Sequence, residues 1–148
     1  MKISIADSFL DAARALDPAD ARRVSVFAEK LVTAHESSGL HMESVHGAHS
    51  HAVRSLRVTQ DMRAIAHLDC GRLLLLFVAQ HDAAYAWARS HCIECIVDGG
   101  EVRVRLTVVA PDGSKGIEPI SDARACLVET IEELRALMSE YGIALAGG

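Results

Sequence analysis

The chain is 148 residues long, 50% of them hydrophobic, with a formal net charge of -5. That length and apolar content exclude a disordered chain or a scaffold dependent on disulfides, and no apolar run approaches the roughly 18 residues that cross a bilayer. The negative balance excludes a broad basic face for nucleic acid, so any phosphate contact has to come from a local cluster.

The charge is uneven. Residues 1–91 hold 10 Lys+Arg and 10 Asp+Glu, whereas residues 92–148 hold 5 and 10. All eight histidines lie in the first part, so a neutral, histidine-rich body (1–91) carries an acidic extension (92–148) expected to pack on the same core. The first residues turn acidic too soon for a signal peptide, and four cysteines in such a chain read as reduced thiols. The expected location is cytoplasmic, with no membrane contact.

Lys2 to Ala6 alternate as a short strand, and Asp7-Ser8 can cap a helix carrying Phe9, Ala13 and Leu16. Asp17-Pro18 restarts a helix with Asp17 as N-cap and an apolar stripe of Val24, Phe27, Leu31 and Ala34. Two helices joined this tightly form an antiparallel hairpin. From Ser37 to Ser50 the chain is polar and reads as a loop. Three apolar runs follow, Ala52 to Val58, Met62 to Leu68 and Arg72 to Ala79, separated by short turns as in an antiparallel meander. Leu73 to Val78 has no polar face, which suits a strand covered on both sides. His81 to Ser90 turns helical, grouping Ala84, Trp87 and Ala88. Cys92 to Val97 and Val102 to Val109 read as a hairpin with Gly99-Gly100 at its tip. After a loop at Pro111-Asp112-Gly113, Ser121 is placed to cap a last helix, with Leu127, Ile131, Leu134, Met138 and Tyr141 on one apolar seam.

One constellation could carry chemistry. A first meander turn symmetric about Gln60 sets Arg57 directly opposite Arg63, with Leu56, Val58, Met62, Ala64, Ala66 and Leu68 on the other, helix-covered side. Facing like charges cost up to about 1 kcal/mol unless an anion or carboxylate lies between them. His81 and Tyr85, four apart at the end of the next strand, share a helix face. Two guanidinium groups beside an imidazole and a phenol suit metal-independent phosphodiester cleavage: His81 or Tyr85 would move the proton while Arg57 and Arg63 hold the phosphate. The structural alternative pairs the arginines with Asp61 or Asp82 and makes His81 a helix cap.

The run Ser55-Leu56-Arg57-Val58-Thr59-Gln60-Asp61-Met62-Arg63-Ala64-Ile65, with His81-Asp82-Ala83-Ala84-Tyr85-Ala86-Trp87-Ala88 after the apolar strand, resembles the RelE/ParE toxin superfamily. It is similar above all to the RelE-like segment fused to UvrD/Rep-type helicases. The resemblance spans about residues 1–90 and implies an α+β fold, a helical hairpin on a small antiparallel sheet, to which this chain would add a β-hairpin and C-terminal helix. It implies a ribosome-dependent mRNA endonuclease or a gyrase-directed inhibitor, commonly paired with an antitoxin, and it implies no cofactor. Carried over by position, Arg63 and Tyr85 match the arginine and tyrosine that flank the family's apolar strand, and Arg57 matches an arginine of the strand before. With Arg54, the two arginines would form the nucleic-acid contact. A second class is a catalytically silent interaction module for a protein or nucleic-acid partner, which the net acidity favours. No Gly-x-x-x-x-Gly-Lys-Ser/Thr loop occurs, so the chain carries no motor of its own.

Other signals point elsewhere. Cys92-x-x-Cys95 has zinc-site spacing, with Cys70, His67 or His81 to complete it, but residues three apart on a strand face opposite ways. His41, His46, His49 and His51 read as a solvated loop before a metal site. The acidic last helix is expected to cover the hairpin or form a homodimer contact. A sharper expectation has it lying over Arg57 and Arg63 as a built-in antitoxin mimic.

Overall fold

The structure, a computed structural model, describes residues 2–33, 42–98, 101–109 and 121–146. Elements follow in the order β1 (Lys2–Ala6), α1 (Asp7–Arg14), α2 (Pro18–Thr33), β2 (Met42–Ser44), β3 (Val53–Arg57) and β4 (Met62–Asp69). Next come β5 (Arg72–Gln80), α3 (His81–Ser90), β6 (His91–Asp98), β7 (Glu101–Val108), β8 (Ser121–Val128) and α4 (Ile131–Glu140). Ala34, residues 37–41, Gly99-Gly100 and Pro111-Asp112-Gly113 lie outside the described residues.

The strands form one sheet in the order β2-β3-β4-β5-β1-β8-β7-β6. Strand β1 runs parallel to β5 and antiparallel to β8. This corrects the expected small antiparallel sheet: an eight-stranded mixed sheet curls into a half-barrel. The reason lies in β1, where Ile3, Ser4, Ile5 and Ala6 are all buried and both edges therefore need a neighbour. Strand β8 supplies the second one, so β6, β7 and β8 run in the same sheet as the strands of the first part.

The expectation that Ser121 caps the last helix is overturned with it, because residues 121–128 are a strand. Thr130 is the N-cap of α4 instead, its hydroxyl accepting from the Glu133 N–H at 3.1 Å. At the start of the chain, Asp7 and Ser8 do not cap α1. Ser8 donates to the Leu76 carbonyl, and Asp7 accepts from the Tyr141 hydroxyl at 2.9 Å. That bond to the carboxylate pushes the Tyr141 phenol up to about 12. Asp17 does cap α2, accepting from the Asp20 N–H at 2.9 Å.

One sheet face is covered by α1, α2 and α4, whose Phe9, Leu10, Val24, Leu31, Leu134 and Met138 pack on Leu56, Met62, Ala64, Ala66, Leu73 and Leu75. The other face is turned inward by the curl. There Leu74, Leu76, Val104 and Leu106 meet, and α3 lays Ala84 and Ala88 against Val53 and Ile65. A β-bulge serves both sides: Ile65 faces Phe77 but Ala66 faces Leu75, leaving Leu76 as the extra residue. The run from Leu73 to Val78 is thus covered on both faces, as its composition requires.

Helix α4 is fixed to the outer layer. Arg135 pairs with Glu29 of α2 at 2.8 Å, and Ser25 donates to the Ala144 carbonyl at 2.6 Å. The expected placement over Arg57 and Arg63 is therefore corrected: Leu134, Met138 and Ile143 are buried in the core on the opposite face. Among the described residues no helix is long and apolar enough to cross a membrane.

Candidate functional site

The site forms where the β3–β4 turn meets the start of α3. Thr59 builds the turn, its hydroxyl accepting from the N–H groups of Asp61 and Met62 at 3.2 and 3.1 Å. The resulting register makes Arg57 and Arg63 direct cross-strand partners, as the symmetry about Gln60 requires. The His81 N–H donates to the Asp61 carbonyl at 2.7 Å, which ties α3 to the same turn. Sequence positions 57, 63, 81 and 85 are thereby brought into one place. Arg57, Arg63, His81 and Tyr85 line a single cleft of about 200 Å³, together with Glu43 and Ser55.

The two arginines differ in their bonding. Arg63 turns Nη1 toward the carbonyls of Thr59 and Gln60 at 2.8 and 3.1 Å, so its guanidinium is oriented by its own turn while Nε and Nη2 make no bond among the described residues. Arg57 is exposed and makes no hydrogen bond or ion pair among the described residues. Neither pairs with Asp61 or Asp82 as the structural alternative supposed. His81 does not cap a helix by its side chain; its Nδ1 lies 3.0 Å from Asp82 Oδ1. With Nδ1 beside that carboxylate, Nε2 is the ring nitrogen that makes no bond among the described residues. The Tyr85 ring lies against His81 in a tilted contact, with centroids 4.5 Å apart and 35° between the planes.

Arg54 stands apart from this group. It lies across from Ala66, on the helix-covered side of the sheet, and turns Nη1 to the His51 carbonyl. Nor is the arginine-bearing side bare: Val53 and Ile65 on it are 2% and 0% exposed beneath α3. The arginines occupy the open rim of that face. Glu43 is the site residue that sequence reasoning missed. It sits on β2 directly across from Ser55, hence on the arginine side, in a segment that read as loop. A three-residue strand shows no usable period; the turn-forming Gly47 after it was the stronger signal.

The remaining histidines and cysteines are dispersed. His46, His49 and His51 line a cleft of about 400 Å³, with His49 Nε2 on the Arg89 carbonyl at 2.8 Å, while His41 lies outside the described residues. Cys92 and Cys95 oppose Thr107 and Val104 and point to opposite faces, so they do not form a zinc pair. As the side chains stand, no three His, Cys, Asp or Glu among the described residues enclose a metal position. No family model matches the chain, and neither curated proteins nor solved structures give a match. Its functional reading rests on the cleft.

Proposed function

We propose that the cleft binds one phosphate of an RNA strand and that the chain acts as a toxin-type, metal-independent endoribonuclease that slows translation. The observation carrying this reading is the meeting of Arg57, Arg63, His81, Tyr85 and Glu43 in one cleft. Two guanidinium groups facing each other without a bridging carboxylate are waiting for an anion. The start of α3, which has no side-chain cap, adds its dipole to the same potential, although the His81 N–H is taken by the Asp61 carbonyl.

Glu43 supplies what the arginines lack. A carboxylate within reach of the bound nucleotide can take the 2′-hydroxyl proton, after which the 2′-oxygen attacks phosphorus and the bond to the 5′-oxygen breaks. His81 Nε2, protonated at the outset, gives that leaving oxygen its proton, and Arg57 with Arg63 offsets the charge gained by the phosphoryl oxygens. Tyr85 steadies the imidazole by its tilted ring contact and lines the cleft beside the substrate. The products would be a 2′,3′-cyclic phosphate and a free 5′-hydroxyl.

A catalytically silent interaction module is the second reading, favoured by the net charge of -5, which weakens non-specific attraction to RNA. Cleavage of mRNA on ribosomes by the wild type, Arg63→Ala, Tyr85→Phe and Glu43→Gln separates the two. The enzyme reading expects cleavage that each substitution slows, with Glu43→Gln retaining RNA affinity. RNA binding with no cleavage by any of the four supports the silent module, and absence of both binding and cleavage removes the proposal altogether.

A further inference from the structure

A second constellation lies on the inner face of the half-barrel, away from the arginine cleft. The curl carries β6 back over β4, bringing Cys95 Sγ to 3.6 Å from His67 Nδ1. The two atoms border a cavity of about 300 Å³, where Asp69, Cys70 and Arg72 meet a wall formed by Leu74. Zinc bound to sulfur at ~2.3 Å and to nitrogen at ~2.05 Å in tetrahedral geometry sets those two donors about 3.6 Å apart. The His67 and Cys95 donors already stand at that separation.

A third donor is close in register. His67 and Asp69, two apart on β4, project from the same face. Asp69 is exposed and accepts a weak bond of 3.4 Å from the thiol of the adjacent Cys70. Turning its carboxylate inward therefore sacrifices little. Cys70 sits at the tip of the β4–β5 turn with φ 50°, followed by Gly71 with φ 73°, the left-handed pair of a tight hairpin turn. It can swing over the cavity mouth as a fourth ligand or leave that position to water.

We infer that His67, Cys95 and Asp69 form a site for a zinc-like divalent cation, closed by rotation of Asp69 and capped by Cys70 or water. Nitrogen, thiolate and carboxylate donors together select zinc over magnesium or calcium, which take oxygen alone. Cys95 loses its proton when the ion binds. Cys92, despite the C-x-x-C spacing, takes no part, because it points to the other face of β6.

The test is a cobalt(II) titration of the full chain, read by the thiolate-to-cobalt charge-transfer band and the visible bands of tetrahedral cobalt, followed by displacement with zinc. One equivalent should bind in the wild type and in Cys92→Ser. Binding should be lost in Cys95→Ser, and Asp69→Asn, an exposed change that leaves packing alone, should weaken it by at least about tenfold. Binding without the charge-transfer band would place the ion on the 46–51 histidines and overturn the assignment. No binding by a wild type whose circular dichroism is that of the folded chain, or equal loss in Cys92→Ser, would overturn it too.

Discussion

Replacing Arg57 by alanine sets stability against binding. Arg57 faces Arg63 across β3 and β4, and like charges so placed cost roughly 0.2–1 kcal/mol. Arg63 recovers part of this through the Thr59 and Gln60 carbonyls, whereas Arg57 makes no bond among the described residues. Truncating Arg57 thus removes repulsion and forfeits nothing: the folded state should hold its stability or gain up to about 1 kcal/mol. At this chain length that is a Tm rise of no more than about 2–4 °C. Binding should move the other way. One charge-assisted contact to phosphate is worth about 1.5–3 kcal/mol, hence roughly 10- to 100-fold in affinity for a short oligoribonucleotide. Denaturant melts with and without the oligonucleotide read both quantities in one experiment. Arg57→Ala destabilised by more than about 1 kcal/mol, with its RNA-dependent shift intact, would refute the reasoning and make Arg57 a structural residue.

Four other outcomes are expected. Asp17→Ala removes the side-chain acceptor for the Asp20 N–H and should cost about 1 kcal/mol in urea melts, without affecting RNA binding. Leu134→Ala, at a site 0% exposed between α4 and the core, should cost about 2–5 kcal/mol, and deletion of residues 119–148 should yield an unfolded chain in place of an unmasked toxin. Burial holds the His91 imidazole below its ordinary value of 6.5, partly countered by its bond to the Trp87 carbonyl. The unfolded chain therefore takes up that proton first. The stability contributed by neutral His91 is complete above the unfolded value and declines as pH falls through 6.5 toward the folded value. Denaturation midpoints from about pH 7.5 to 5 should fall less steeply in His91→Gln, the remaining slope including that of the half-buried His67, which burial also holds below 6.5.

The parts of the molecule legible in the sequence are those set by local pattern. The alternation of β3 and β4 about Gln60 carried the Arg57–Arg63 register, and the four-residue step from His81 to Tyr85 carried the helical face beside it. What was not legible depends on partners remote in the chain. Leu127 continues the helical spacing of Ile131 and Leu134, yet residues 121–128 are a strand because the buried β1 offers them an edge. The Thr130-x-x-Glu133 capping box was the local sign that α4 begins later. Glu43 escaped because its strand is three residues long, and the cover that α3 gives Val53 and Ile65 follows from Ala84 and Ala88, whose small side chains let the helix approach the sheet. The side of the sheet taken by α4 follows from Leu134, Met138 and Ile143 sharing a core with α2, which no stretch of β3 or β4 foretells.

The most direct measurement follows the side-chain Nε–Hε signals of Arg57 and Arg63 by nuclear magnetic resonance while a short oligoribonucleotide is titrated in. Both signals should shift along one saturating curve, and Glu43→Gln should leave that curve in place. Signals that stay fixed while the RNA binds elsewhere, or an RNA that does not bind at all, would contradict the account.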